Sequence, residues 1–434
     1  MPRPLNVILW TCHDMGTACG PYGDRNVPTP NLDRLAAAGA TFANNFCTTP
    51  LCSPSRGSIQ TGCYPHVNGL IGLVNQGWDL PPEQRCLVNY VADAGYETHL
   101  LGFQHIRAER ESLGFDHFDP AGTRAEVAGE RVATLLATTA DRPRYIEVNT
   151  AEAHRRWSDD DGSVDPDDLT LPPYWPDTAE VRADLAGFYR HVLAVDRGVG
   201  RVLDALDQGG RGAETLFVFT VDHGIAFPRC KSTLYDSGLK TALLMRLDHQ
   251  IPAGLRVETL LSNVDLCPTV LELAELPRPR GLDGRSFRRH ARGEAGAPHR
   301  QWVYAEKSWH DDYDPMRCLR SERWKYIRNL QPGPRLTLPL DLLPEFCGTA
   351  RAMANSYLAN RPTEELYDLH EDPHELHNLA AEPELETTLR DLRGLLDDWM
   401  SETADPFLEH GSVPAPARQY QGSQRGRQWW PPAG

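Results

Sequence analysis

The sequence predicts an α/β fold, a mostly parallel sheet with helices on both faces followed by a smaller C-terminal α+β domain, and three observations predict it. Apolar runs of strand length end in polar clusters: Asn6-Val7-Ile8-Leu9-Trp10-Thr11 leads to Cys12-His13-Asp14, and Thr215–Val221 leads to Asp222-His223-Gly224. Runs that are apolar throughout fit strands covered on both faces of a parallel sheet. Between such runs lie segments of helical period, an alternation that implies parallel pairing through crossovers. Finally, Pro277, Pro279, Gly281, Gly284, Gly293, Gly296 and Pro298 break all periodicity over residues 277–300 and mark a domain boundary.

In chain order, the first strand leaves His13 and Asp14 just past its carboxyl end, where open α/β sheets gather ligands. Pro30 to Ala36 reads as a short helix closed by Gly39, and Glu83 to Ala94 as another closed by Gly95. Thr98 to Leu101 and Tyr145 to Val148 read as strands. Residues 178–206 carry Leu185, Phe188, Tyr189, Val192, Val195 and Val199 at helical spacing. Beyond the break, Gln301 to Ala305, Cys318 to Leu319, Trp324 to Ile327 and Glu365 to Leu369 read as an antiparallel sheet, packed by an amphipathic helix over 383–400. The expected division is a larger domain over 1–285 that carries the strand-end polar clusters, a smaller domain over 286–410 and a Pro-, Gly-, Gln- and Arg-rich flexible tail over 411–434.

A length of 434 residues supplies a substantial core, and a net charge of −16 disfavours nucleic acid and anionic membranes as partners. The longest buried-looking run, Leu216 to Val221, is far short of a membrane span. Residues 5–10 are too short for a signal h-region, so a cytoplasmic location is expected. Ten cysteines without a CxxC pair argue against a disulfide framework and a zinc ribbon.

The densest chemistry lies in Cys52-Ser53-Pro54-Ser55-Arg56, followed by Gly57-Ser58-Ile59-Gln60-Thr61-Gly62. Pro54 fits the first turn of a helix, whose backbone N–H groups and dipole would face the sulfur and any anion beside it. Arg56 adds a planar fork of donors for oxyanions. These features fit a reactive cysteine and equally a buried inert one.

Cys52-x-Pro54-x-Arg56 with Thr61-Gly62 resembles the signature of the formylglycine-dependent sulfatases of the alkaline phosphatase superfamily. Its surroundings carry the likeness further: Asn6 to Asp14 and Val221-Asp222-His223-Gly224 resemble the two metal-binding strands, Thr29 to Ala36 the helix between them, and Tyr64-Pro65-His66 follows at the usual spacing. Gly224 to Pro228, Leu234-Tyr235, Tyr313-Asp314-Pro315-Met316-Arg317, Glu365 to Asp368, Asp372 to Glu375 and Trp399 to Phe407 are similar to the N-sulfoglucosamine sulfohydrolase (sulfamidase) branch. The likeness runs from about residue 5 to 408.

The resemblance implies an alkaline-phosphatase-like fold and a hydrolase that releases inorganic sulfate from a sulfuric ester or sulfamate. It implies that a formylglycine-generating maturation enzyme converts Cys52 to Cα-formylglycine, whose hydrated aldehyde supplies the nucleophilic hydroxyl. One divalent metal is implied, held by Asp14, Asp222 and the oxygen at Cys52, with His13 and His223 where the sulfamidase branch has Asp and Asn. Ca²⁺ is the family's ion; two imidazoles shift the set toward Mn²⁺. A second reading makes His13 a strand-end histidine that orients Asp14. Arg56, His105, His154 and Lys231 match positions that hold the formylglycine and the sulfate oxygens. His154 and His105 share, interchangeably, protonation of the leaving group and breakdown of the sulfated intermediate. Phe103 stands where the family places a sulfate-binding lysine. His66, Glu306, His310 and Arg317 match substrate-contacting segments, with a solvated loop as the competing reading.

The substrate class implied is an N- or O-sulfated sugar or another small organic sulfate. A phosphonate monoester or phosphodiester hydrolase is the nearest alternative, because Asp222-His223-Gly224 also resembles that group. A catalytically silent protein that holds a sulfated ligand through Arg56, Lys231 and the histidines is the non-enzymatic one.

Overall fold

The computed structural model describes residues 4–157, 160–294 and 296–415. These form a large sheet from β1 (Asn6–Cys12), β2 (Ala40–Phe46), β3 (Glu97–Gly102), β4 (His117–Asp119), β5 (Arg144–Asn149), β6 (Thr215–Val221), β7 (Leu243–Arg246) and β8 (Leu255–Ser262), in the spatial order β4-β3-β5-β1-β6-β7-β2-β8. β7 runs antiparallel to β6 and β2, and every other pairing is parallel. The sheet is thus mixed but mostly parallel, as expected.

Alternation along β1 explains its apolar sequence. Ile8 and Trp10 enter one core with helices Ala125–Ala137 and Ala179–Gln208, while Val7 and Leu9 enter another with helices Leu87–Asp93 and Leu266–Leu273. Both faces are covered, so neither parity of the strand can be polar. The long helix opens on Thr178, whose hydroxyl accepts from the Val181 N–H. Its buried side includes Leu185, Phe188, Val192, Val195 and Val199.

A second sheet of β9 (Val303–Trp309), β10 (Tyr313–Arg320), β11 (Trp324–Asn329) and β12 (Glu364–Asp368) is antiparallel throughout. Helix Glu386–Glu402 lays Leu389, Leu392, Leu396, Trp399 and Met400 on Leu319, Tyr326 and Leu366. Phe46, Leu234 and Tyr235 pack with Val303, Ile327 and Tyr367, so the small sheet leans on the end of the large one where the polar clusters emerge.

The helix expected from Glu83 begins only at Leu87, because Cys86 and Asn89 form a reciprocal cap there. β2, β4, β7 and β8 have no counterpart in the sequence reading. All ten cysteines are buried free thiols. Among the described residues, no helix is long and apolar enough to cross a membrane. The tail expected over 411–434 lies, from residue 416 onward, outside the described residues.

Candidate active site

β1 and β6 are adjacent and parallel, so their carboxyl ends deliver His13-Asp14 beside Asp222-His223. Asp14 takes φ +49, a left-handed conformation that Asp tolerates better than most residues. Its N–H donates to Asp222 Oδ1 at 2.9 Å, and the His223 N–H donates to the same oxygen at 2.9 Å. Gly224 lets the chain turn away, since a Cβ there would meet the Ser237 carbonyl at 2.0 Å. Helix Cys52–Thr61 begins against this pair of strand ends, with Cys52 in its first turn.

His13 Nδ1 lies 2.8 Å from Asp14 Oδ1 and 3.3 Å from Asp222 Oδ2. His223 Nε2 lies 3.0 Å from Asp14 Oδ1 and 3.3 Å from Cys52 Sγ. One ligand atom from each of His13, Asp14, Cys52, Asp222 and His223 falls within 4.8 Å of all the others. Both carboxylates are wholly buried. Burial opposes their charge, yet Lys231, His13 and His223 hold Asp14 well below the usual range, and His13, His223 and Arg56 hold Asp222 at about 2. Two buried, ionised carboxylates with two imidazoles at this spacing fit one divalent cation, with a mixed oxygen and nitrogen set.

Arg56 Nε meets Asp222 Oδ2 at 3.0 Å and its Nη1 donates to Asn149 Oδ1 at 2.7 Å, which fixes the guanidinium between β5 and β6. Phe103 covers it, its ring centroid 4.8 Å from the guanidinium carbon and 5.6 Å from the His13 ring. An aromatic face therefore occupies the neighbourhood where the resemblance leads one to expect a lysine. Lys231 Nζ donates to Asp14 Oδ2 at 2.8 Å and to Asp341 Oδ2 at 2.8 Å, and these carboxylates keep the ammonium charged against its burial. His154 Nε2 lies 3.5 Å from Asp341 Oδ2 and 3.8 Å from Asp14 Oδ2. Burial and Lys231 push the His154 imidazole down to about 3, and burial with His13 and Arg56 likewise depresses His105. Both rings are neutral near neutral pH. The Cys52 thiol is pushed up by burial, so it is not a thiolate.

The four substrate-contact candidates separate into two groups. His310 Nδ1 meets Asp311 Oδ2 at 2.8 Å, and that oxygen also accepts from the Leu340 N–H, next to Asp341. His310 thus stands near Asp341, on the rim of the buried cluster. His66, Glu306 and Arg317 form another buried network: His66 Nδ1 to Glu306 Oε1 is 2.7 Å, and Arg317 Nη2 to Glu306 Oε2 is 3.8 Å. Arg317 is fully buried, paired through Nε and Nη2 with Asp405, and it donates to the Lys307 and Met316 carbonyls. None of these three is a solvated loop residue.

Sequence reasoning missed Asn149 and Asp341. Asn149 ends an apolar strand in a polar residue, the same signal that singled out Asp14 and Asp222. Asp341 sits in a short turn, Leu340–Leu342, 110 positions from Lys231, with no motif around it.

With this geometry in view, comparison with known proteins is decisive. The sulfatase family model matches residues 6–276, and a model for the C-terminal part of N-sulphoglucosamine sulphohydrolase matches residues 226–335. The N-sulphoglucosamine sulphohydrolase of Homo sapiens is 30% identical over 94% of this chain and 92% of its own. An ulvan-active sulfatase of Formosa agariphila is 28% identical over 93% of this chain and 76% of its own. A protein solved in complex with its substrate D-glucosamine-2-N,6-O-disulfate superposes with a TM-score of 0.73 at 19% identity, over 93% of this chain and 99% of that one. The ends of β1 and β6, helix Cys52–Thr61 and strands β9 to β11 all fall within the residues that the two family models match, and the chain belongs to the sulfatase family, an enzyme of the hydrolase class.

Proposed function

We propose that this protein hydrolyses the N- or O-sulfate group of a saccharide, with a formylglycine made from Cys52 as nucleophile and one divalent metal bound by His13, Asp14, Asp222 and His223. The observation that carries the reading is the buried convergence of Cys52 with two carboxylates and two imidazoles, beside Arg56 and Lys231. A protonated thiol at Cys52 is a poor nucleophile, which favours its conversion over a role as cysteine. The hydrated aldehyde would supply a hydroxyl to attack sulfur and a second hydroxyl to release the product. The metal, when bound, would polarise the sulfate and stabilise an ionised hydroxyl.

The side chains would divide the remaining work. Arg56 and Lys231 face a tetrahedral anion with fixed positive charge. A neutral His154 can receive a proton, and a bound sulfate anion beside it favours its charged form, from which it can protonate the leaving atom. His105 remains the second candidate for that transfer. Because Cys52 is 3% exposed in the folded chain, the maturation enzyme must meet it before folding is complete.

Two measurements test the reading. Mass spectrometry of the Cys52 peptide from coexpression with a formylglycine-generating enzyme is expected to show a loss of ~18 Da, the change from thiol to aldehyde. The matured protein is then assayed on N-sulfoglucosamine, on sulfated monosaccharides and on aryl phosphonates. Sulfate release from the sugars supports the reading. Faster turnover of the phosphonate would favour the phosphonate hydrolase suggested by His223, and matured protein inert on all three would favour a ligand-binding role.

A further inference from the structure

Away from the catalytic cluster, a second set of ligand-bearing side chains meets at the edge of the large sheet. Glu97 opens β3 and His99 follows two residues later, so both project from one face. His117 opens the edge strand β4 directly opposite His99. Glu97 Oε1 is 3.1 Å from His117 Nε2, and Glu97 Oε2 is 3.5 Å from His99 Nε2. One ligand atom from each lies within 4.8 Å of the other two. The two imidazole rings stand 4.5 Å apart at 24°, stacked across the strand pair. A tetrahedral ion with bonds of ~2.0–2.1 Å separates its ligands by about 3.4 Å, which the two carboxylate–imidazole spacings match, and one imidazole must rotate out of the stack for both rings to face a shared ion.

Two independent features point to a ligand. His99 is 7% exposed and its Nε2 is buried without a hydrogen bond. Glu97 has the opposite character: a hydrogen bond from Arg144 Nε at 3.0 Å orients the carboxylate.

We infer that Glu97, His99 and His117 form a site for a divalent transition metal of the Zn²⁺ type. Two imidazoles and one carboxylate select such an ion over Ca²⁺ or Mg²⁺, which prefer all-oxygen shells. The His117 side chain is 54% exposed, which leaves a fourth position for water. The site is separate from the catalytic one: it opens β3, whereas His105 follows the far end of that strand, roughly 16 Å from Glu97 at 3.3 Å per residue. Its consequence is structural. The ion ties the three-residue edge strand β4 to β3 through their side chains.

The test is calorimetric titration of Zn²⁺ into the metal-free full-length chain, with His117→Ala, His99→Gln and Asp222→Asn variants beside it. The wild type is expected to bind one more equivalent than either histidine variant, while Asp222→Asn keeps the equivalent that depends on His117. Zn²⁺ is expected to raise the melting temperature of the wild type and Asp222→Asn more than that of His117→Ala. Because His117 is exposed, its variant should match the wild type without metal. Equal stoichiometry in wild type and His117→Ala would overturn the proposal. Loss of binding in His117→Ala with full retention in His99→Gln would overturn it too, by reducing the event to one surface histidine.

Discussion

Asp341 stands 2.8 Å from the Lys231 ammonium and 3.5 Å from His154 Nε2, and it alters what an incoming anion meets. A carboxylate so close to the cation competes with sulfate for it, while Phe103 supplies no charge to compensate. A pocket so arranged is expected to bind free sulfate weakly for its cation content. Asp341→Asn is expected to lower the inhibition constant of inorganic sulfate by about tenfold, since unlike charges a few ångströms apart in a partly buried site interact by a few kcal/mol before screening. An unchanged constant would mean that Asp341 moves away when anions bind. Cys52→Ala, by contrast, is expected to lower kcat by at least ~10³-fold with most of the metal retained, because the proposed nucleophile goes while His13, Asp14, Asp222 and His223 stay. Metal analysis with single-turnover assays separates the two effects.

At the scale of elements, close approaches and buried pairs set the pocket. Gly102 ends β3 at φ +95, and a Cβ there would meet the Asn149 carbonyl at 2.0 Å. Gly102→Ala should therefore push β3 from β5 and cost about 3 kcal/mol, read as a lower melting temperature, with activity lost as well because Asn149 holds Arg56. The pair between His66 of helix Pro65–Asn68 and Glu306 of β9 ties the segment after helix Cys52–Thr61 to the small sheet. Burial lowers the His66 pKa, but the Glu306 charge prevails and raises it above the ordinary ~6.5. A raised folded value adds stability that is fully present below the unfolded value and lost as pH rises through the folded one. The melting-temperature gap between wild type and His66→Gln should thus be widest near pH ~5 and narrow toward pH ~9; a gap independent of pH would show that His66 acts by packing alone. These elements were not equally legible. β1 and β6 announce themselves because burial on both faces leaves a continuous apolar run. β2, with Asn44 and Asn45 inside Ala40–Phe46, and the three-residue β4 carry no such pattern, and tertiary pairing creates them. Asp14, Asp222 and Cys52 were legible from strand ends and a motif, whereas Asp341 reaches the pocket only through the folding of the C-terminal segment.

Across the whole molecule, the buried His13-Asp14-Cys52-Asp222-His223 cluster works as a junction. His13 and Asp14 extend β1, Asp222 and His223 extend β6, Cys52 starts helix Cys52–Thr61, and Asp341 arrives from the connection between β11 and β12. Without a cation, Asp14 and Asp222 are two buried negative charges within one cluster, balanced by Lys231, Arg56 and the histidines. A bound divalent ion would relieve that repulsion and cross-link elements distant in the chain, so metal binding is coupled to global stability. Treatment with EDTA is expected to lower the melting temperature and abolish turnover together, and restoration of both should follow one binding curve. The donor set decides which ion restores them: two imidazoles favour Mn²⁺, which should act at a lower concentration than Ca²⁺. If Ca²⁺ restores activity at the lower concentration, His13 and His223 are orienting the carboxylates through the contacts at 2.8 Å and 3.0 Å rather than binding the ion. Melting temperature and activity that recover at different metal concentrations would instead divide the effect between this junction and the edge of the sheet at β4, a division that His117→Ala resolves by removing the second site alone.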